Sequence, residues 1–220
     1  MTRFFFFSLA VVLGACSSSS KNASDLGVVN LEVQGAPEAV DAFNTGLLLL
    51  HSFEYEDARE SFRTAIAMDS TMAMAYWGEA MTFNHPIWHR QKPDSARASM
   101  SRRTIAGAEP DSKLEADFLE SLETLYEEEL EKEARDAAYS EFYAVMSHRY
   151  PKNHEVQSFY ALALLGSVQD GRDVEVYGEA GKIAAQIVKE NPQHPGALHY
   201  MIHAYDDPDH ATLAMEAAQT

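Results

Sequence analysis

A stretch of seventeen residues near the end of the chain combines the side chains that bind metal ions and move protons. HPGALHYMIHAYDDPDH, residues 194–210, contains four histidines and three aspartates. His199 and His203 are four residues apart, so on a helix they would be neighbours on one face. A zinc ion in a protein takes about three or four such ligands. These two histidines would supply the first ligands, and the set could be completed from Asp206, His210, His85 or His51.

The same stretch lacks the residues of a hydrolytic zinc enzyme. Tyr200, Met201 and Ile202 stand between the two histidines, so the general-base glutamate of the H-E-x-x-H metalloproteases is missing. The sequence also has no nucleophile elbow, no phosphate-binding glycine loop and no dinucleotide fingerprint. We therefore expect no enzyme activity, and no cofactor other than a divalent metal at His199 and His203.

The first sixteen residues predict the destination of the chain. Arg3 precedes a twelve-residue apolar run, FFFFSLAVVLGA (4–15), which is typical of a signal peptide and too short to span a membrane about 30 Å thick. The residues LGAC (13–16) resemble a bacterial lipobox, in which cleavage before the cysteine is coupled to its lipidation. The alternative is an ordinary secretory signal that is removed together with Cys16.

The lipobox resemblance implies three segments. They are a lipoprotein signal peptide over 1–15, the lipidated Cys16 with a flexible tether over 16–36, and a folded domain over 37–220. Ser17 is similar to the residue that follows the cysteine in lipoproteins sent to the outer membrane. We therefore expect a bacterial cell-envelope protein, lipid-anchored to the outer membrane and facing the periplasm.

The charge of the chain limits its partners. The sequence has 17 Lys and Arg against 34 Asp and Glu, a formal net charge of −17 at pH 7. Repulsion from phosphate argues against nucleic acid and against charge-driven binding to an anionic membrane, so we expect membrane contact through the lipid anchor only. Cys16 is the only cysteine, which excludes an internal disulfide.

Apolar residues recur at helical spacing along most of the chain, and alternating strand-like runs are missing. This pattern predicts an all-α fold. Gly46, Ala58, Phe62 and Ala65 stand at the spacing of the tetratricopeptide repeat, in which small residues let two helices touch and an aromatic ring fills the gap to the next pair.

The same period returns later in the chain. It is visible at Ala138, Phe142 and Val145 before Pro151, and at Ala180, Ala184 and Ile187 before Pro192. The chain therefore resembles a tetratricopeptide-repeat protein over about 37–220. The resemblance implies an α-solenoid of antiparallel helix pairs, with about four pairs and the start of a fifth. Because the fifth pair is incomplete at residue 220, we expect the repeat domain to be truncated at its C-terminus.

The resemblance also implies that the first helix of each pair lines a concave groove. The expected groove residues are Phe43, His51, Trp77, Met81, Asn84, His85, His199, His203 and Asp206. The histidines have three interpretations: packing between helices, anchoring of a ligand in the groove, or a metal site. We expect a membrane-tethered scaffold that binds a protein or peptide segment or a small ligand in this groove. The alternative is a metal-binding protein that uses the groove histidines.

Overall fold

The computed structural model describes residues 26–220, and this part of the chain is all-α, as predicted. The signal peptide, Cys16 and the first part of the tether lie outside the described residues. The α-helices of the described part are α1 Pro37–His51, α2 Tyr55–Met68, α3 Ala73–Met81, α4 Pro93–Ala106, α5 Lys113–Leu125, α6 Lys132–Arg149, α7 His154–Ser167, α8 Val174–Glu190 and α9 Pro195–Tyr205. Short 3₁₀ turns at Ala211–Leu213 and Ala217–Gln219 follow α9.

Side-chain caps fix where several helices begin. The hydroxyl of Ser112 accepts a hydrogen bond from the backbone N–H of Glu115, and Asn153 and Asp173 cap α7 and α8 in the same way. These short polar side chains satisfy backbone donors that the first turn of a helix leaves unpaired. Helix α9 combines a cap from His194 with a proline at its first position.

A small hairpin interrupts the helices between α3 and α4. Strand β1 (Asn84–His85) pairs antiparallel with β2 (Arg90–Gln91), and a 3₁₀ turn, Pro86–Trp88, joins them. The turn closes at His89, whose backbone has a φ of 51°. This left-handed conformation is uncommon for a residue other than glycine.

The odd-numbered helices form an inner layer. Consecutive helices pack together from α1 to α4 and from α5 to α9, and in addition α1 contacts α3, α3 contacts α5, and α9 contacts both α7 and α1. Each odd-numbered helix contributes one fully buried aromatic side chain to this layer: Phe43, Trp77, Phe118, Phe159 and Tyr200. The contact between α1 and α9 brings the first and last helices together, so side chains fill the shared interior.

Phe62 on α2 packs where two inner helices have glycine. A Cβ atom built on Gly46 of α1 would lie 2.8 Å from the Phe62 ring, and one on Gly78 of α3 would lie 2.3 Å away. Real Cβ atoms essentially never approach so closely. The ring therefore needs a residue without a side chain on both neighbouring helices.

The segment before α1, predicted as part of the tether, lies across the helices. The backbone N–H of Val28 donates to the Gln193 carbonyl at 2.8 Å, and that of Ala36 donates to Asp69 Oδ2 at 2.9 Å. Leu31 is buried in the core. Residues 26–36 are thus attached to both ends of the helical array. Among residues 26–220, the helices are all too short or too polar to cross a membrane.

Candidate functional site

Three buried side chains from different helices meet where α1, α7 and α9 converge. His51 is the last residue of α1, Glu155 lies in the first turn of α7, and His194 caps α9. Each residue has an imidazole nitrogen or a carboxylate oxygen that could bind a metal, and these three atoms lie within 4.8 Å of one another. All three side chains are fully buried. We call this group the buried His–Glu–His cluster.

Hydrogen bonds assign the protons in this cluster. The Ala197 backbone N–H donates to His194 Nδ1 at 3.1 Å, so the proton of that imidazole is on Nε2. His51 Nε2 donates to Glu155 Oε2 at 2.7 Å, and the Tyr200 hydroxyl donates to His51 Nδ1 at 2.8 Å. His51 Nε2 and His194 Nε2, the two ring nitrogens that face the Glu155 carboxylate, therefore each carry a hydrogen.

The electrostatics of the cluster agree with this assignment. Burial lowers the pKa of His51 despite the attraction of Glu155, so this imidazole is neutral near pH 7. Burial alone would raise the pKa of Glu155. Interactions with His51 and His194 outweigh that effect, so the pKa of this carboxyl lies below its usual range. The cluster thus holds one buried negative charge between two imidazole rings.

A metal ion does not fit the cluster in this arrangement. The donor types are suitable, because two imidazoles and a carboxylate are a common ligand set. A ligating nitrogen, however, must present a lone pair, and the lone pair of His194 is used by the Ala197 N–H. His194 Nε2 lies 3.2 Å from Glu155 Oε1 without forming a directed hydrogen bond. It is the polar side-chain atom of the cluster that remains without a hydrogen bond.

A second group of rings lies at the surface beside this cluster. Phe53 lies in the turn after α1, and three other rings surround it. The distance from the centroid of the Phe53 ring is 4.2 Å to that of His199, 5.8 Å to that of His203 and 5.4 Å to that of Trp88. Tyr55 stacks on His85, with centroids 3.8 Å apart. We call Phe53, Tyr55, His85, Trp88, His199 and His203 the imidazole–aromatic patch. Trp88 is 49% exposed, so the patch is open to a partner.

The two histidines of α9 lie close together at this patch. His199 Nδ1 donates to the backbone carbonyl of His51 at 3.0 Å, which leaves the lone pair on Nε2. The ring of His203 is 4.9 Å from that of His199. Burial lowers the pKa of both side chains, so both imidazoles are neutral near pH 7.

The structure divides the predicted groove residues between core and surface. Phe43 and Trp77 are fully buried, and Met81 and Asn84 are buried beside them. The side chain of His51 points into the buried cluster, whereas His85, His199 and His203 meet at the imidazole–aromatic patch. Asp206 is exposed directly after α9. His210 bonds to Asp207 instead of joining the other histidines.

Sequence reasoning did not select Glu155 or Tyr200, which complete the buried cluster. Glu155 is one of many acidic residues at helix starts and has no distinguishing motif. His194 had a usable signal, because a polar residue directly before a proline is typical of a helix cap.

Comparisons with protein-family models, with curated proteins and with solved structures find no match to this chain.

We predict that the stability of the protein falls as the pH is lowered from 7.5 to 5.5, and that His51→Gln reduces this dependence. The folded pKa of His51 lies below the unfolded value of about 6.5, so only the unfolded state gains this proton as the pH falls. One such group changes the free energy of unfolding by at most about 1.4 kcal/mol per pH unit. Glutamine keeps a donor for Glu155 but does not titrate.

Urea denaturation at several pH values measures this dependence. The matched variant is His199→Gln, whose imidazole is only partly buried and should account for a smaller share of the slope. An unchanged pH dependence in His51→Gln would show that His51 is not the titrating group.

Proposed function

We propose that this chain is a tetratricopeptide-like helical repeat protein that acts as a scaffold. Four successive helix pairs, α1 to α8, followed by α9 match the expected number of repeats. The position of Phe62 between Gly46 and Gly78 supports the repeat, because it joins one pair to the next through small residues. The inner layer of first helices is what such a repeat would produce.

We propose further that Cys16 is lipidated and tethers this domain to the bacterial outer membrane. The supporting observation is the sequence LGAC (13–16) after an apolar run. The described chain is attached to the helices from Val28 onward, which leaves about ten residues after Cys16 as a tether.

We expect Cys16→Ser to leave an uncleaved precursor without lipid, because the thiol is the atom that would be modified. The measurement is labelling with a radioactive fatty acid, together with the mass of the protein extracted from membranes. Ser18→Ala, two residues away, serves as the control and should be processed normally. Normal processing of Cys16→Ser would contradict the assignment.

The binding function is best supported by the imidazole–aromatic patch. This patch brings together rings from four places in the chain: the turn after α1, the start of α2, the inserted hairpin and α9. Aromatic faces beside a few polar groups are the usual composition of ligand sites. We therefore propose that the patch holds an apolar or aromatic side chain of a protein segment, with the neutral imidazoles as hydrogen-bonding anchors.

Peptides selected from a random library on the wild-type protein test this function. We expect Trp88→Ala to weaken binding of the selected peptides by about tenfold or more, since a buried aromatic contact is worth more than about 1.4 kcal/mol. The control is Ile105→Ala, which removes an exposed apolar side chain on α4. The proposal fails if no peptide is enriched, or if the peptides bind Trp88→Ala as tightly as the wild type.

A divalent metal at His199 and His203 is the second candidate function. The observation that favours it is the hydrogen bond from His199 Nδ1 to the His51 carbonyl, because metal-binding histidines commonly donate their second nitrogen in this way. His203 follows one turn later. Asp206, directly after α9, is close enough to act on the charge of His203. The remaining positions of the metal would be open to a partner.

We expect tag-free protein dialysed against zinc to retain one ion that His203→Ala loses. The control His148→Ala removes an exposed histidine of α6 and should leave the zinc content unchanged. Loss of zinc in His194→Asn, with retention in His203→Ala, would instead place the ion in the buried His–Glu–His cluster. Equal zinc content in all variants would exclude both sites.

A further inference from the structure

A positively charged cleft lies between the inserted hairpin and the start of α6. Its volume is about 580 Å³, a size suited to a small molecule. Arg90, Lys92, Lys132 and Arg135 line it together with His85 and His89. Its lining, within residues 26–220, includes no acidic residue, although the chain has twice as many acidic as basic residues. We call it the basic cleft.

Most of the positive charge in the basic cleft is not neutralised by a carboxylate. The side chains of Arg90 and Lys92 form no hydrogen bond or ion pair with any described residue. The Arg135 guanidinium donates to Gln91 Oε1 at 3.0 Å and to backbone carbonyls, which are neutral. Lys132, in contrast, pairs with Asp136. Like charges that line one cleft repel each other, and a bound anion would reduce this repulsion.

Two buried polar atoms at the basic cleft also lack partners. Arg135 Nε and His89 Nδ1 are inaccessible to solvent and have no hydrogen bond among the described residues. Such atoms are rare in folded proteins, and a bound ion is one of the explanations for them. His89 in addition has the left-handed backbone described above, with a φ of 51°. Strain of this kind is concentrated at binding sites.

The geometry of the cleft is fixed by the hairpin. Gln91 Nε2 donates to Asn84 Oδ1 at 3.1 Å, and the Lys92 N–H donates to the Phe83 carbonyl at 2.9 Å. Because Arg135 bonds to Gln91, the hairpin and α6 hold each other in place. A cleft on α2 with a similar volume, about 530 Å³, has Glu56, Asp57 and Glu60 beside its arginines. The basic cleft therefore differs from the cleft on α2 in having basic residues without acidic neighbours in its lining.

We propose that the basic cleft binds a small polyanion through its phosphate or carboxylate groups. Arg135 and Arg90 would supply planar pairs of N–H donors, and Lys92 a point charge. His85 contributes to both this cleft and the imidazole–aromatic patch, but the cations that define the cleft are outside the patch. The proposal for the basic cleft therefore does not rest on the scaffold function proposed above.

Isothermal titration of the full chain with inorganic phosphate and, separately, with citrate tests the proposal. We expect saturable binding of at least one anion at low ionic strength. The double variant Arg90→Ala/Lys92→Ala should weaken it about tenfold or more, since each lost charge-assisted contact is worth roughly a factor of ten. Because these two exposed side chains form no hydrogen bond or ion pair within residues 26–220, the variant should stay folded, which circular dichroism checks.

The control Lys152→Ala/Lys189→Ala removes the same charge from exposed sites and should change the affinity by less than about twofold. Trp88→Ala, which tests the patch, should leave anion binding intact. Binding of phosphate alone identifies a phosphorylated ligand, and binding of citrate alone identifies a carboxylate. If the wild type binds neither anion, or if Arg90→Ala/Lys92→Ala binds as the wild type does, the proposal is wrong.

Discussion

A buried carboxylate holds the two ends of this helical array together. Glu155 accepts a hydrogen bond from His51 at the end of α1 and another, at 3.3 Å, from the backbone N–H of Asn30 in the segment before α1. His194 approaches from the start of α9. An ionised carboxyl without such donors would be too costly to bury. The packing of α1 against α9 therefore depends on placing these groups around one charge.

This closure leaves little open space between the first helices of the pairs. When α1 meets α9, the space between the first helices fills with Phe43, Trp77 and other aromatic side chains, and little room for a ligand is left there. The imidazole–aromatic patch lies where the regular helix pairs are interrupted. At the turn that carries Phe53, at the hairpin with His85 and Trp88, and on α9, rings meet at the surface.

The sequence allowed the helical class to be predicted because helix formation depends on local spacing. The position of Phe62 against Gly46 also follows from a local pattern. The partners of His51 could not be predicted, since Glu155 is 104 residues away and Tyr200 is 149 residues away. Their meeting depends on the curvature of the whole array. The basic cleft could not be predicted for a related reason. The overall acidic charge does not indicate which of the basic side chains lie close together in the fold.

The inserted hairpin links the two surfaces that we propose as binding sites. On one side its Trp88 reaches the rings around Phe53, where the partially buried imidazoles are neutral. On the other side its Arg90 and Lys92 face Arg135 across the basic cleft. His85 belongs to both the patch and the cleft. Burial lowers the pKa of its imidazole, and the positive charge of Lys92 lowers it further. A hydrogen bond to the Thr82 carbonyl opposes this shift. An anion bound beside Lys92 would remove part of that repulsion and make His85 easier to protonate. Occupation of the cleft would therefore change the charge of a ring that belongs to the patch, and the two sites would be coupled through this residue.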